Sequence, residues 1–139
     1  MKVDLSKINT AEFFMRPCAI AGVECVLVEP HGVGVVKWTR DNLIFRSSIW
    51  TKDGEPVSLG FPKFHNFDED LDKEGKFIPG KIPYPKPKDL RGAQILDKLD
   101  GSLLIISFFK GQLIVRTRGT IDAATTLSNG DEIAKLLEM

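Results

Sequence analysis

Short apolar and β-branched runs, each closed off by a turn sequence, dominate this chain and restrict it to a strand-rich fold. "VECVLVEP" (23–30) and "GVGVVKW" (32–38) flank Pro30-His31-Gly32 and predict a strand pair. "NLIFRSSIW" (42–50) and "PVSLGF" (56–61) flank Asp53-Gly54, a favoured hairpin turn. Further on, "AQILDKL", "SLLIISFF" and "QLIVRTRG" predict three more strands, separated by Asp100-Gly101 and Lys110-Gly111. Helix signals are few. "NTAEFFMRP" predicts a short helix that Thr10 caps and Pro17 stops, and "NGDEIAKLLEM" predicts another with Asp131 and Glu132 in its first turn. Residues 66–90 keep neither period, and the Pro- and charge-rich stretch 68–90 reads as a long surface loop. The expected architecture is α+β: strand-rich antiparallel sheets with a few short helices, in a single domain over residues 1–139.

Composition narrows the classes. With 42% hydrophobic and 27% charged residues, the chain has enough apolar side chain for a core and reads as a soluble globular protein. Its formal net charge is zero, so no global basic field announces nucleic acid or membrane, although a local patch can still bind phosphate. Cys18 and Cys25 lie in an apolar stretch without a second Cys/His cluster, and are expected to be reduced core residues. "MKVDLSKINTAEFF" carries acids and no long apolar run, so no signal peptide or membrane span is expected, and the default compartment is cytoplasmic.

The stretch "ILDKLDGSLLIISF" (95–108) poses the chemical question. Lys98, two residues before Asp100-Gly101, is either an outward-facing strand residue or a nucleophile at the edge of a pocket. An amine attacks only when neutral; lysine's reference pKa is about 10.4, and apolar walls or a neighbouring cation lower it. Gly101 would let a ligand approach the backbone closely. Alternation in "RTRGT" (116–120) predicts Arg116 and Arg118 on one face, where two guanidiniums can grip a polyphosphate. A lysine nucleophile with phosphate-binding arginines implies attack on an α-phosphorus.

At these residues the chain resembles the covalent nucleotidyltransferases, the superfamily of ATP-dependent ligases and capping enzymes. Their first motif is K-x-D-G, here Lys98-Leu99-Asp100-Gly101, followed by Ser102. Within the superfamily it is most similar to the phage-type RNA ligases that repair broken tRNA. "ILDKLDGSLLIISFFKGQLIVRTRGTI" resembles their K-x-D-G-S-L strand pair and the basic-Gly-Ser/Thr segment after it. "GFPKFHNFDED" (60–70) resembles their R-P-x-x-K-F-F-N-x-x-E segment at Pro62, Lys63, Phe64, Asn66 and Glu69. "IFRSSIW" (44–50), followed by "DGEPV", resembles their R-G-I-x-F…DG-x-x-V segment, with Ser47 in place of the usual glycine. His65 stands where a second Phe is usual.

The resemblance, which spans residues 42–130 in the family's order, implies the front half of a nucleotidyltransferase (ATP-grasp-like) domain. It implies that Lys98 attacks the ATP α-phosphate, releases pyrophosphate and carries AMP. The AMP then passes to an RNA 5′-phosphate, and a 3′-hydroxyl displaces it to seal the strand. Arg46 and Lys63 match positions that bind ATP, and Arg118 matches a basic residue near the sugar or phosphates. With these stand Arg116 as a further phosphate contact and Asp100 and Gly101 as the turn presenting Lys98. ATP and Mg²⁺ are the implied cofactors; RNA ends, tRNA among them, are the implied partners. The family's later E-G-x-V segment and closing lysine pair would come after Met139. The resemblance therefore implies a truncated adenylyltransferase domain with weak or no sealing activity alone, or a second chain supplying those motifs. The alternative expectation is a binding module that holds nucleotide or RNA ends without chemistry.

Overall fold

The computed structural model describes residues 1–122. Its centre is an antiparallel sheet of β1 (Phe13–Ile20), β2 (Val23–Pro30), β3 (Ser48–Thr51) and β4 (Pro56–Leu59), paired in that order. Ala21 and Gly22 join β1 to β2 with φ of 50° and 73°, the left-handed pair that a two-residue hairpin needs. β3 and β4 are joined across Asp53-Gly54, as the turn sequence predicts. A Cβ on Gly54, at φ +85°, would lie 1.8 Å from the Val3 carbonyl oxygen. Glycine is what lets the N-terminal segment lie against this turn, where the Val3 N–H donates to the Gly54 carbonyl at 2.9 Å.

Alternation along β2 and β3 gives the sheet two apolar faces. Val26, Val28 and Trp50 point to one, which Phe13, Ile8, Val36 and Phe45 cover from β1 and the surrounding loops. Cys25, Leu27, Ile49 and Val57 point to the other with Ile20, and there the hairpin of β5 (Ile105–Phe109) and β6 (Gln112–Arg116) packs through Ile114. Lys110 and Gly111, at φ 45° and 82°, turn that hairpin. The result is a β-rich, three-layer arrangement of hairpin, sheet and irregular cover. Among the described residues the only helical pieces are 3-10 turns at Leu5–Lys7 and Leu43–Arg46, and no helix is long and apolar enough to cross a membrane.

Several expectations are corrected here. The helix predicted for "NTAEFFMRP" is instead a turn over 10–12 that leads into β1, and Pro17 sits inside the strand. β1 is an edge, and Pro17 pairs with Val26 one position from the Cys18–Cys25 pair. Counting from the hairpin turn, that is a position whose nitrogen faces away from β2, so the missing N–H breaks no ladder bond. "GVGVVKW" is irregular because Gly34, at φ +77°, breaks the pleat, although Val36 is still buried. "AQILDKL" forms no strand: residues 93–103 are all exposed, and Asp100-Gly101 bends an open segment and makes no hairpin. Residues 66–90 are the expected loop, fastened by Lys86 Nζ donating to buried Asp70 at 2.6 Å and lying 4.6 Å from the Phe67 ring centroid. The predicted helix at 131–139 lies outside the described residues. Cys18 and Cys25 are free thiols facing each other across β1 and β2.

Candidate functional site

Where β6 ends, the sheet and the hairpin are joined by a cluster of guanidiniums. Arg116, the last residue of β6, is fully buried. Its Nε donates to Ser58 Oγ at 2.7 Å, Nη1 to Ser47 Oγ at 2.9 Å, and Nη2 to the Ser58 carbonyl at 3.0 Å. Longer contacts to the carbonyls of Ser47, Thr117 and Arg118 complete the shell. Burial pushes its pKa down to about 10, while Glu29 and Cys18 push the other way, so the group is charged at neutral pH. Its donors are spent inside the protein, which leaves none for a nucleotide. The expectation of a phosphate contact at Arg116 is therefore corrected: the residue ties the layers together.

Arg118 does not share that face. The strand ends at Arg116 and the chain turns through Thr117–Thr120, where the Thr117 N–H donates to Thr120 Oγ1 at 3.1 Å. The turn is strapped over the end of the sheet. Ser47 Oγ donates to the Arg118 carbonyl at 2.6 Å, and Arg16 Nη2 donates to the Gly119 carbonyl at 3.1 Å. Arg118 is half exposed and donates through Nε to Glu29 Oε1 at 2.9 Å, while Glu29 is itself buried at the end of β2. A Cβ on Gly119 would come within 2.8 Å of Glu29 Oε2, so this close approach depends on glycine.

Arg46 completes the cluster from the 3-10 turn before β3. Its guanidinium carbon lies 4.9 Å from the Phe64 ring centroid, a cation–π contact. Burial, and then the neighbouring charge of Arg118, push its pKa below the usual arginine value. Among the described residues no carboxylate pairs with it. Arg116 and Arg118 thus share the carboxylate of Glu29, and the half-buried Arg46 beside Arg118 has no counter-charge among the described residues.

The other predicted residues lie apart from this centre. Lys63 belongs to the extended segment after β4, held to the Leu43 carbonyl by its own N–H at 2.8 Å. Phe64 meets Arg46, whereas Lys63 and His65 line a cavity on the other side with Trp38, consistent with alternation along the segment. Lys63 Nζ is 4.0 Å from Glu69 Oε1. Lys98, Asp100 and Gly101 are exposed, and the Lys98 amine makes no hydrogen bond or ion pair among the described residues. Among the described residues no group of three or more His, Cys, Asp or Glu side chains is placed to hold a metal ion.

Sequence reasoning singled out Arg46 and Arg118 but missed Glu29, the carboxylate that positions Arg118. The available signal was an acidic residue at the end of an otherwise apolar strand. No protein-family model, curated protein or solved structure matches this chain.

Proposed function

We propose that the chain binds the phosphate end of a nucleotide or of an RNA strand at the Arg46–Arg118 centre. The carrying observation is the partly desolvated guanidinium of Arg46, without a carboxylate partner among the described residues, stacked on Phe64 beside Arg118, with Glu29 and Ser47 holding Arg118 and its turn in place. A phosphate there would gain charge-assisted bonds to preorganised donors and relieve the repulsion between two like charges. The motif order that resembles the RNA ligases supports a nucleotide or RNA end as the source of that phosphate.

A second reading keeps the ligase chemistry. The K-x-D-G segment leads directly into β5, whose first residue Ile105 pairs with Arg116, two residues before Arg118. Lys98 is seven residues from Ile105, a span of at most about 25 Å, so the open segment is long enough to bring its amine to a nucleotide held at the arginines. Lys98 Nζ, having lost a proton to water, would form a bond to the α-phosphorus of ATP as the bond to pyrophosphate breaks.

One experiment addresses both readings. ATP and a 5′-phosphorylated oligoribonucleotide are titrated against wild type, Arg46→Ala, Arg118→Ala and Lys98→Ala, and the same proteins are incubated with α-labelled ATP and Mg²⁺. The binding reading expects affinity to fall about tenfold or more in each arginine variant, the loss of a charged hydrogen bond, and to persist in Lys98→Ala. Equal binding by all four proteins would overturn it. Acid-labile label on wild type that disappears in Lys98→Ala supports the covalent step, and absence of label removes it.

A further inference from the structure

A cavity of about 400 Å³ lies between the loop after β2, the segment after β4 and the turn at Gly80-Lys81, on the side of that segment opposite Phe64 and Arg46. Lys37, Lys63 and Lys81 line it against the single carboxylate of Glu69, with Trp38 and His65 among the residues of its wall. Glu69 is already engaged, because its Oε2 accepts the Asn66 N–H at 2.9 Å and its Oε1 lies 4.0 Å from Lys63. The amines of Lys37 and Lys81 are exposed and have no partner among the described residues.

The indole is held in place. Trp38 is half-buried and meets the buried Phe13 ring edge-on, with centroids 5.8 Å apart and planes at 79°. Val36, two residues earlier, is buried in the same core, so Lys37 between them is turned outward. His65 is fixed too: the Tyr84 hydroxyl accepts the His65 N–H at 2.9 Å and lies 3.0 Å from Nδ1. The cavity thus combines an anchored aromatic wall, a cationic rim and two glycines, Gly34 and Gly80, that add no side chain to its lining.

We propose that this cleft binds single-stranded RNA, with a base stacked against Trp38 and the backbone phosphates on Lys37, Lys63 and Lys81. Aromatic side chains interleaved with cations are what a flexible strand needs, since every base has a π-face and every linkage a charge. The inference rests on the phosphate-end reading for its direction. Lys63 and Phe64 are consecutive and face the cleft and Arg46 respectively, so a strand ending at Arg46–Arg118 would cross the segment after β4 to reach the cleft.

The test follows tryptophan fluorescence while 5′-phosphorylated and 5′-hydroxyl oligouridylates are titrated at several salt concentrations. Trp50 is fully buried with its indole N–H donating to Ser48 Oγ, so quenching reports Trp38. The expected result is saturable quenching that is lost in Trp38→Phe. In a Lys37→Ala/Lys81→Ala variant, binding should weaken and the log-affinity against log-salt slope should shrink by about 1.4, at roughly 0.7 per phosphate contact on a single strand. Unchanged affinity and slope in the double-lysine variant, or heparin quenching the wild type as strongly as the oligouridylates do, would overturn the proposal. The two readings fail differently. If the terminal-phosphate site is wrong and the cleft right, the 5′-hydroxyl oligomer binds as well as the phosphorylated one and Arg46→Ala changes nothing. If the cleft is wrong, Trp38 is not quenched, while fluorescence anisotropy of a labelled oligomer still shows dependence on the 5′-phosphate and equal binding by wild type, the double-lysine variant and Trp38→Phe.

Discussion

Arg116 shows how little a residue's type says about its work. Read along the strand it is half of a basic pair; folded, it is fully buried and spends its nitrogens on Ser47, Ser58 and nearby carbonyls. Arg116→Met would leave those hydroxyls and carbonyls without their donor, at a cost of about 3 kcal/mol, and Arg116→Lys should recover little because an ammonium cannot reproduce the fork. Urea unfolding measures this; midpoints unchanged in both variants would show that the network is idle. His65 gives a second prediction at this scale. Burial, and then Lys63, lower its pKa below 6.5, with Glu69 opposing. The unfolded chain therefore takes up this proton more readily than the folded one. His65's contribution to stability is complete above pH 6.5 and is lost as pH falls through its folded pKa. Proton NMR should show a His65 midpoint below 6.5 that rises in Lys63→Met; a midpoint at or above 6.5 in wild type would contradict the burial seen here.

Elements were legible where pattern and turn chemistry agreed, and illegible where a partner strand decided. β2 and the β5–β6 hairpin follow from their β-branched runs and glycine turns. β1 was hidden by Pro17, which argues against a strand until the strand is known to be an edge. "AQILDKL" has the composition of a strand and nothing to pair with, so it stays open. At the candidate site, Arg46 and Arg118 could be picked out from motif order, but Glu29 and Trp38 join it only through contacts distant in sequence. The turn carrying Arg118 depends on one element passing close to another, and this is testable. Gly119→Ala would drive a methyl toward Glu29 Oε2, whose carboxylate is buried and tied to Arg118. A loss of about 1–2 kcal/mol is expected, together with weaker phosphate binding as Arg118 is displaced. The stability loss should shrink in a Glu29→Ala background, because the two changes share one contact. Additive losses would place the clash elsewhere.

Across the whole molecule, a formal charge of zero conceals an uneven distribution. Cations collect around Glu29 and again around Trp38, while carboxylates such as Asp70, Asp72 and Asp89 are spent fastening the loop that follows β4. A whole-chain sum therefore says little about partners. The layers, too, are held by few fasteners: besides apolar packing on Ile114, the hairpin meets the sheet through Arg116, through the Ser58–Ser107 hydroxyl pair at 2.7 Å, and through Gln112 Oε1, which accepts the Ala21 N–H at 3.0 Å.

The connection between those layers has its own consequence. Residues 94–103 are exposed and make no hydrogen bond within the described chain, and Lys98 lies among them, with Arg91 just before. Brief trypsin treatment should cut there first, since backbone that is neither bonded nor buried can enter a protease cleft without prior unfolding. The pieces should part on a denaturing gel yet elute together from a sizing column, because the bonds clamping the hairpin to the sheet lie on either side of the break; fragments that separate without denaturant would show otherwise. Continuity of the polypeptide is, on this view, dispensable once folding is done, and the two pieces expressed as separate polypeptides should reconstitute the fold.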